Sequence, residues 1–226
     1  MTAGAILLCA GRGRRLGAGV EKALVPLAGK PLFAWSLAAL ERAAGVAGIV
    51  VVGPVKKLQA ALAQAAFSAG KIVAWCEGGR ERQESVAAGL RALPAAFDWV
   101  AVHDSARALV TPDLVGRVLA DALAHGAAIA AVPIEDTLKR ARLGAVEATV
   151  PRANLWRAQT PQVFRRDWFE AAHAEAGASA TDDAALLEIQ GRRVHLTEGD
   201  PMNFKITTAA DLELAGAWLA ARGAER

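Results

Sequence analysis

The chain has 226 residues, of which 54% are hydrophobic and 22% charged, and its net charge is +3. That supplies a sizeable core for one domain spanning 1–226, and too mild and dispersed a positive charge for a nucleic-acid face. No run approaches the ~18 apolar residues of a membrane span, and Met1-Thr2-Ala3-Gly4 carries no basic leader. Cys9 and Cys76 each end an apolar run, as reduced core thiols do, so a cytoplasmic protein without membrane or nucleic-acid partners is expected.

Ala5–Cys9 (AILLC) is a continuous apolar run, which predicts a strand buried on both faces. It breaks into Gly11-Arg12-Gly13-Arg14-Arg15, with Lys22 in the same loop region. Glycines let backbone N–H groups turn towards an anion and the cations add fixed charge, so the loop reads as a polyphosphate cradle. It is not a Walker loop, because Lys22 is followed by Ala23 rather than Ser or Thr. Nor is it a dinucleotide fingerprint: Leu16 stands at the third glycine, and the second strand ends in Gly53-Pro54-Val55 without a ribose-binding acid.

Strand-like and helix-like segments then alternate. Pro31–Ala44 predicts a helix, Gly48–Val52 a strand, Val55–Ala66 a helix and Lys71–Cys76 a strand. A polar turn, Glu77–Ser85, opens onto a helix over Ser85–Leu93, and the strand Asp98–His103 runs straight into Asp104-Ser105-Ala106-Arg107. Thr111-Pro112-Asp113 caps a helix reaching about Ala124, and Ala127–Pro133 is a buried strand. This βαβα order predicts an α/β fold, an open and mostly parallel sheet with helices on both faces. The loops after the strands should converge beyond the sheet's carboxyl edge.

Ile134–Leu155 breaks the rhythm: two short runs around Leu143-Gly144 predict a β-hairpin arm, too small for a core of its own and suited to packing on a partner subunit. Beyond it, Thr160–Phe164 reads as extended and Arg166–Ala176 as helical. Thr181-Asp182-Asp183 caps a helix over Ala184–Gln190, Val194–Glu198 is the last strand, and Ala209–Ala221 the closing helix.

Asp104 follows a buried strand directly. Such a carboxylate can bind Mg²⁺ when substrate phosphates and waters complete the shell, or it can simply cap the next turn. Arg107 can orient that carboxylate, touch phosphate, or form a surface ion pair. His103 lacks a visible second acid and reads as a packed, hydrogen-bonded ring rather than a base. No Ser/His/Asp order, HExxH or paired-cysteine spacing supports hydrolase chemistry. Gly78-Gly79 and Ser85 can form a slot for a flat base or an ordinary turn and cap, and Lys205 can place a cation opposite the glycine loop or be an ordinary exposed lysine.

The ordered set of these motifs carries a resemblance. The glycine loop with Lys22, Gly78-Gly79…Glu81-Arg82…Ser85-Val86, Val102-His103-Asp104-Ser105-Ala106-Arg107 and Asp136-Thr137-Leu138-Lys139-Arg140 are followed by Leu155-Trp156-Arg157-Ala158-Gln159-Thr160-Pro161-Gln162, Thr181-Asp182-Asp183 and Asn203-Phe204-Lys205-Ile206-Thr207. From about Ala5 to Leu219 the chain resembles the 2-C-methyl-D-erythritol 4-phosphate cytidylyltransferases of non-mevalonate isoprenoid synthesis. The resemblance implies a Rossmann-like nucleotidyltransferase fold of the glycosyltransferase-A kind, CTP as co-substrate, Mg²⁺ on Asp104, and a homodimer joined through the 134–155 arm. It implies that Cys9, Ala10, Gly11, Arg12, Gly13 and Arg14 lie along the CTP phosphates, with Arg15 and Lys22 as transition-state cations. Gly78, Gly79, Arg80, Ser85 and Ser105 would surround base and ribose. Asp104, Arg107, Thr160, Thr181 and Lys205 would meet the methylerythritol phosphate side, and Thr137 and Arg152 would reach from the arm into the partner's site.

The chain departs from the family pattern at Glu21 and Ala23 around the lysine, at Ser105 and Ala108 after the aspartate, at Pro151 before the arm arginine, and at Arg80, a position often acidic. The nearest alternative is a ribitol 5-phosphate cytidylyltransferase of the same build, which differs on the acceptor side. A nicotinamide oxidoreductase is disfavoured by the missing glycine and acid, and a non-catalytic nucleotide-binding protein by the retention of Arg15, Lys22, Asp104 and Lys205.

Overall fold

The structure, a computed structural model, describes residues 2–11, 13, 21–65, 67–175 and 180–224. Arg12, Arg14 and Arg15, and the expected helix ends Ala66 and Ala176, lie outside the described residues.

The first strand, β1 (Ala3–Leu8), is buried along its whole length, as its apolar run requires. A single 3-10 turn (Lys22–Leu24) and a short antiparallel pair, β2 (Pro26–Leu27) and β3 (Lys30–Pro31), lead into α1 (Leu32–Arg42); the sequence reading had none of these three small elements. Next come β4 (Val46–Val52), α2 (Val55–Gln64) and β5 (Ile72–Cys76). The helix α3 (Arg82–Ala92) starts three residues before the expected Ser85, because Glu81 and Glu84 form a reciprocal capping box at its N-terminus. After β6 (Trp99–Asp104), α4 (Pro112–His125) begins as expected: Thr111 accepts a bond from the Leu114 N–H, and Pro112 fills a first-turn position that has no donor to lose.

The chain continues through β7 (Ala127–Pro133) into the hairpin β8 (Leu138–Arg142) and β9 (Ala145–Val150), then β10 (Trp156–Arg165), α5 (Arg166–Glu175), α6 (Asp183–Ile189), β11 (His195–Glu198) and α7 (Ala209–Ala224). Seven strands form one sheet in the order β11-β7-β10-β6-β1-β4-β5. All neighbouring pairs are parallel except those of β10, which runs antiparallel to both β6 and β7. One core cluster packs β1, β4 and β6 against α1 and α4; a second fills the other face from α3, α5 and α6.

Strand order reverses at β1, which has β4 on one side and β6 on the other. In open α/β sheets the crevice outside the carboxyl ends at such a point is where ligands bind. The backbone closes it from below: the Ser105 N–H donates to the Leu8 carbonyl (3.0 Å) and the Cys9 N–H to the Val52 carbonyl (2.7 Å).

Candidate active site

At that crevice lies a cleft of about 610 Å³ whose walls come from three strand ends and from the turn before α7. Ala10, Gly11 and Lys22 follow β1; Gly79, Arg80 and Ser85 follow β5; Asp104 ends β6 and Ser105 follows it; Lys205 arrives from the C-terminal side. Nine residues expected at one site are therefore brought together. Among the described residues the cleft's charged lining is four cations (Lys22, Arg80, Arg82, Lys205) against two carboxylates (Glu81, Asp104), a balance that suits a polyanion.

The glycine pair is needed for close approach. A Cβ on Gly78 would sit 2.4 Å from the Ala10 Cβ, and one on Gly79 would sit 2.3 Å from the Glu84 Cβ. The segment after β5 thus presses against the loop after β1 while its backbone stays exposed at the cleft. Ser85 fixes the turn by accepting from the Gly79 N–H (3.0 Å) and donating to the Glu81 carbonyl (3.1 Å). Gly78 itself faces Ala10 rather than the cleft, and Cys9 and Gly13 are buried. Burial raises the Cys9 thiol to about 12, against the opposing hydrogen bond with Ser105, so Cys9 is an inert core thiol.

Asp104 is the electrostatic centre. Its Oδ1 accepts from Arg82 Nε (3.2 Å) and its Oδ2 from Lys205 Nζ (2.7 Å). Burial pushes the carboxyl up, but the Arg82 and Lys205 charges outweigh it and hold Asp104 far below the ordinary range, fully ionised near neutrality. Lys205 is delivered here because the next residue, fully buried Ile206, donates its N–H to the Ala106 carbonyl (2.8 Å).

Beneath Asp104 the polar groups are satisfied in series. The Asp104 N–H donates to Thr160 Oγ1 (3.1 Å), which lies 3.0 Å from His103 Nδ1, while His103 Nε2 lies 3.3 Å from the Arg107 carbonyl. A carbonyl can only accept, so Nε2 carries the ring proton and the Thr160 hydroxyl donates to Nδ1. Burial depresses His103 to about 4, opposed by the Asp104 charge, so the ring is neutral and packed, as the sequence indicated.

Other expected residues sit elsewhere. The Arg107 guanidinium turns inward and donates to the Asn203 (2.9 Å) and Ala158 (3.1 Å) carbonyls, so it braces the backbone instead of meeting a carboxylate. Thr160 is buried beneath Asp104, and Thr181 is exposed one residue before the Asp182 cap of α6. Thr137 and Arg152 are exposed on the arm, where Arg152 donates to the Glu135 carbonyl. Sequence reasoning missed the role of Arg82. It stood in the Glu81-Arg82 motif without an assigned role, and it bridges Asp104, through Nε, to the buried Asp183, 2.7 Å from Nη2.

Among the described residues no group of three His, Cys, Asp or Glu side chains converges to hold a metal. Asp104 offers one carboxylate in a cation-rich cleft, which fits Mg²⁺ only in the manner of phosphate-carried ions, where substrate oxygens and waters complete the shell.

The comparisons agree with this geometry. The family model of 2-C-methyl-D-erythritol 4-phosphate cytidylyltransferase (IspD) matches residues 3–221. The 2-C-methyl-D-erythritol 4-phosphate cytidylyltransferase of Prochlorococcus marinus is 42% identical over 222 residues, 96% of this chain and 98% of its own. The protein of the same name from Parasynechococcus marenigrum is 46% identical over 96% of this chain and 97% of its own. The crystal structure of the Thermus thermophilus 2-C-methyl-D-erythritol 4-phosphate cytidylyltransferase superposes with a TM-score of 0.78 at 36% identity, covering 97% of this chain and all of that one. With its phosphate-suited cleft at the switch point of a mostly parallel sheet, the chain belongs to the 2-C-methyl-D-erythritol 4-phosphate cytidylyltransferase family, nucleotidyltransferases that move the cytidylyl group of CTP onto 2-C-methyl-D-erythritol 4-phosphate.

Proposed function

We propose that this single-domain chain performs the transfer by in-line attack of the methylerythritol phosphate oxygen on the α-phosphate of CTP, with pyrophosphate leaving. The observation that carries the reading is Asp104, held between Arg82 and Lys205 in the same cleft as Lys22. A phosphate dianion is already a nucleophile, so no general base is called for, and the neutral His103 is walled off under Thr160. The barrier is the meeting of two polyanions, and the work of the protein is to position and neutralise them.

Gly11 and Ala10 present backbone to the nucleotide, Gly79 and Ser85 shape the base slot, and Lys22 lies along the phosphates; Arg15, outside the described residues, keeps the role the family resemblance implies for it. Lys205 neutralises the acceptor phosphate. Asp104 would hold a divalent cation, which when bound supplies further charge neutralisation at the transferring group. Thr137 and Arg152 serve the acceptor side of the partner's cleft in a homodimer joined through the 134–155 arm. Their exposure in a single chain supports that reading. Both cysteines are free thiols, which supports a cytoplasmic enzyme; among the described residues no helix is long and apolar enough to cross a membrane.

The test is pyrophosphate release from CTP and Mg²⁺ with methylerythritol phosphate and ribitol 5-phosphate in parallel. Release with the first alone is expected. Preference for the second would replace the acceptor, and silence with both from a chain that binds CTP would remove the catalytic reading.

A further inference from the structure

Asp183 has no part in the roles assigned above, and Arg82 enters them only as a charge beside Asp104. They are the first residues of α6 and α3, helices that begin 101 residues apart and meet at the cleft. Neither side chain is occupied in capping its own helix: Glu81 and Glu84 cap α3, and Asp182 caps α6 through the Ala185 N–H. Asp183 has a side chain only 2% exposed, yet it accepts from Arg82 at 2.7 Å, and Arg82 in turn donates to Asp104 Oδ1 at 3.2 Å. Four side chains of alternating sign, Asp183, Arg82, Asp104 and Lys205, thus form one line running from the interior to the cleft.

The two cations on Asp104 are not equivalent. Lys205 is a point charge on a flexible stem with its side chain 43% exposed. Arg82 is a planar fork gripping two carboxylates at once, and β6 and α6 fix where those carboxylates are. One oxygen of Asp104 is therefore locked, and the other has a partner able to leave.

We propose that Arg82 is a positioning residue, anchored by Asp183, that commits Asp104 Oδ1 and leaves Oδ2 as the oxygen that changes hands from Lys205 to the divalent cation. Asp183 acts on the site only through Arg82. This rests on the reading of Asp104 as the metal-bearing carboxylate.

The test is Mn²⁺ binding followed by electron paramagnetic resonance with CTP present and no acceptor, alongside kcat and KM with both substrates. Asp183→Asn and Arg82→Lys are each expected to raise half-saturating Mn²⁺ about tenfold or more, the scale for losing a partner behind a metal ligand, with metal-free CTP affinity within about twofold. The double variant Arg82→Gln/Asp183→Asn should be no worse than Arg82→Gln alone. It also removes both charges together, so it leaves no buried carboxylate unpaired and keeps the test open if Arg82→Gln does not fold. Mn²⁺ binding within about twofold of the unaltered chain in the folded double variant overturns the proposal. Asp104→Asn separates the two failures. If it weakens Mn²⁺ and the double variant does not, the positioning role alone is lost; if it too leaves Mn²⁺ unmoved, the metal reading of Asp104 goes with it.

Discussion

Asp104 and Leu143 mark two ways of using a side chain within one molecule. The Asp104 side chain is 12% exposed, and each of its oxygens and its backbone N–H has a named partner. Leu143 is 98% exposed at the tip of a hairpin whose residues are nearly all in solvent. The cleft floor is over-determined by its own chain, so its geometry exists before any ligand arrives. The arm has a defined backbone and almost nothing to hold, so its side chains gain meaning only from what they meet.

The sharpest way to break this comparison is to remove a cation from the floor. Lys22→Ala and Lys205→Ala should each lower kcat by about 10²–10³-fold in a pyrophosphate-release assay, the scale for losing one preorganised electrostatic group. Near-normal turnover in both would mean that the floor's charge is structural only.

The next effect concerns stability. His103 is depressed from 6.5 to about 4 in the folded chain, so the unfolded chain takes up the proton first. Its contribution is complete above about pH 6.5 and is lost as pH falls towards 4, by about 3 kcal/mol in all. Urea midpoints measured across that window should fall in the unaltered chain, and the slope should flatten in His103→Gln. An unchanged slope would place the ring in contact with solvent.

The arm answers differently. Arg152→Ala should raise KM for the acceptor about tenfold, the loss of one hydrogen bond to a charged group, with KM for CTP and the unfolding midpoint unmoved. A shift in the CTP parameter instead would join the arm to the nucleotide side. The smallest effect lies at the tip, where Leu143 (φ +50°) and Gly144 (φ +82°) occupy the left-handed region that two-residue hairpin turns require. Leucine fits that region poorly and asparagine fits it better. Leu143→Asn should therefore slow hydrogen exchange across β8 and β9 by about 1 kcal/mol or less. Faster exchange would show that the leucine is held by something it packs on.

Much of this was legible in the sequence because the signals are local. The AILLC run, the Thr111-Pro112 cap, the Leu143-Gly144 turn and the aspartate at the end of the fourth predicted strand all announce themselves within a few residues. The reversed direction of β10 was not legible: an extended segment carries no mark of which way its neighbours run. The Arg82–Asp183 pair was hidden for the same reason, since 101 residues separate two groups that only packing of α3 and α6 brings together. Arg107 shows the converse. Proximity to Asp104 in sequence suggested partnership with the carboxylate, but the turn after β6 aims the guanidinium at the Asn203 and Ala158 carbonyls.

The base of the arm has one further consequence. The Ile134 N–H donates to the Leu155 carbonyl at 3.1 Å, so the chain leaves the sheet and returns to it through a closed gate between β7 and β10. Topologically the arm is an insertion: neither the register of the seven strands nor the closure beneath the cleft depends on what lies between residues 135 and 154. Residues 135–154 can therefore change in length or in sequence without disturbing the strands that carry the cleft.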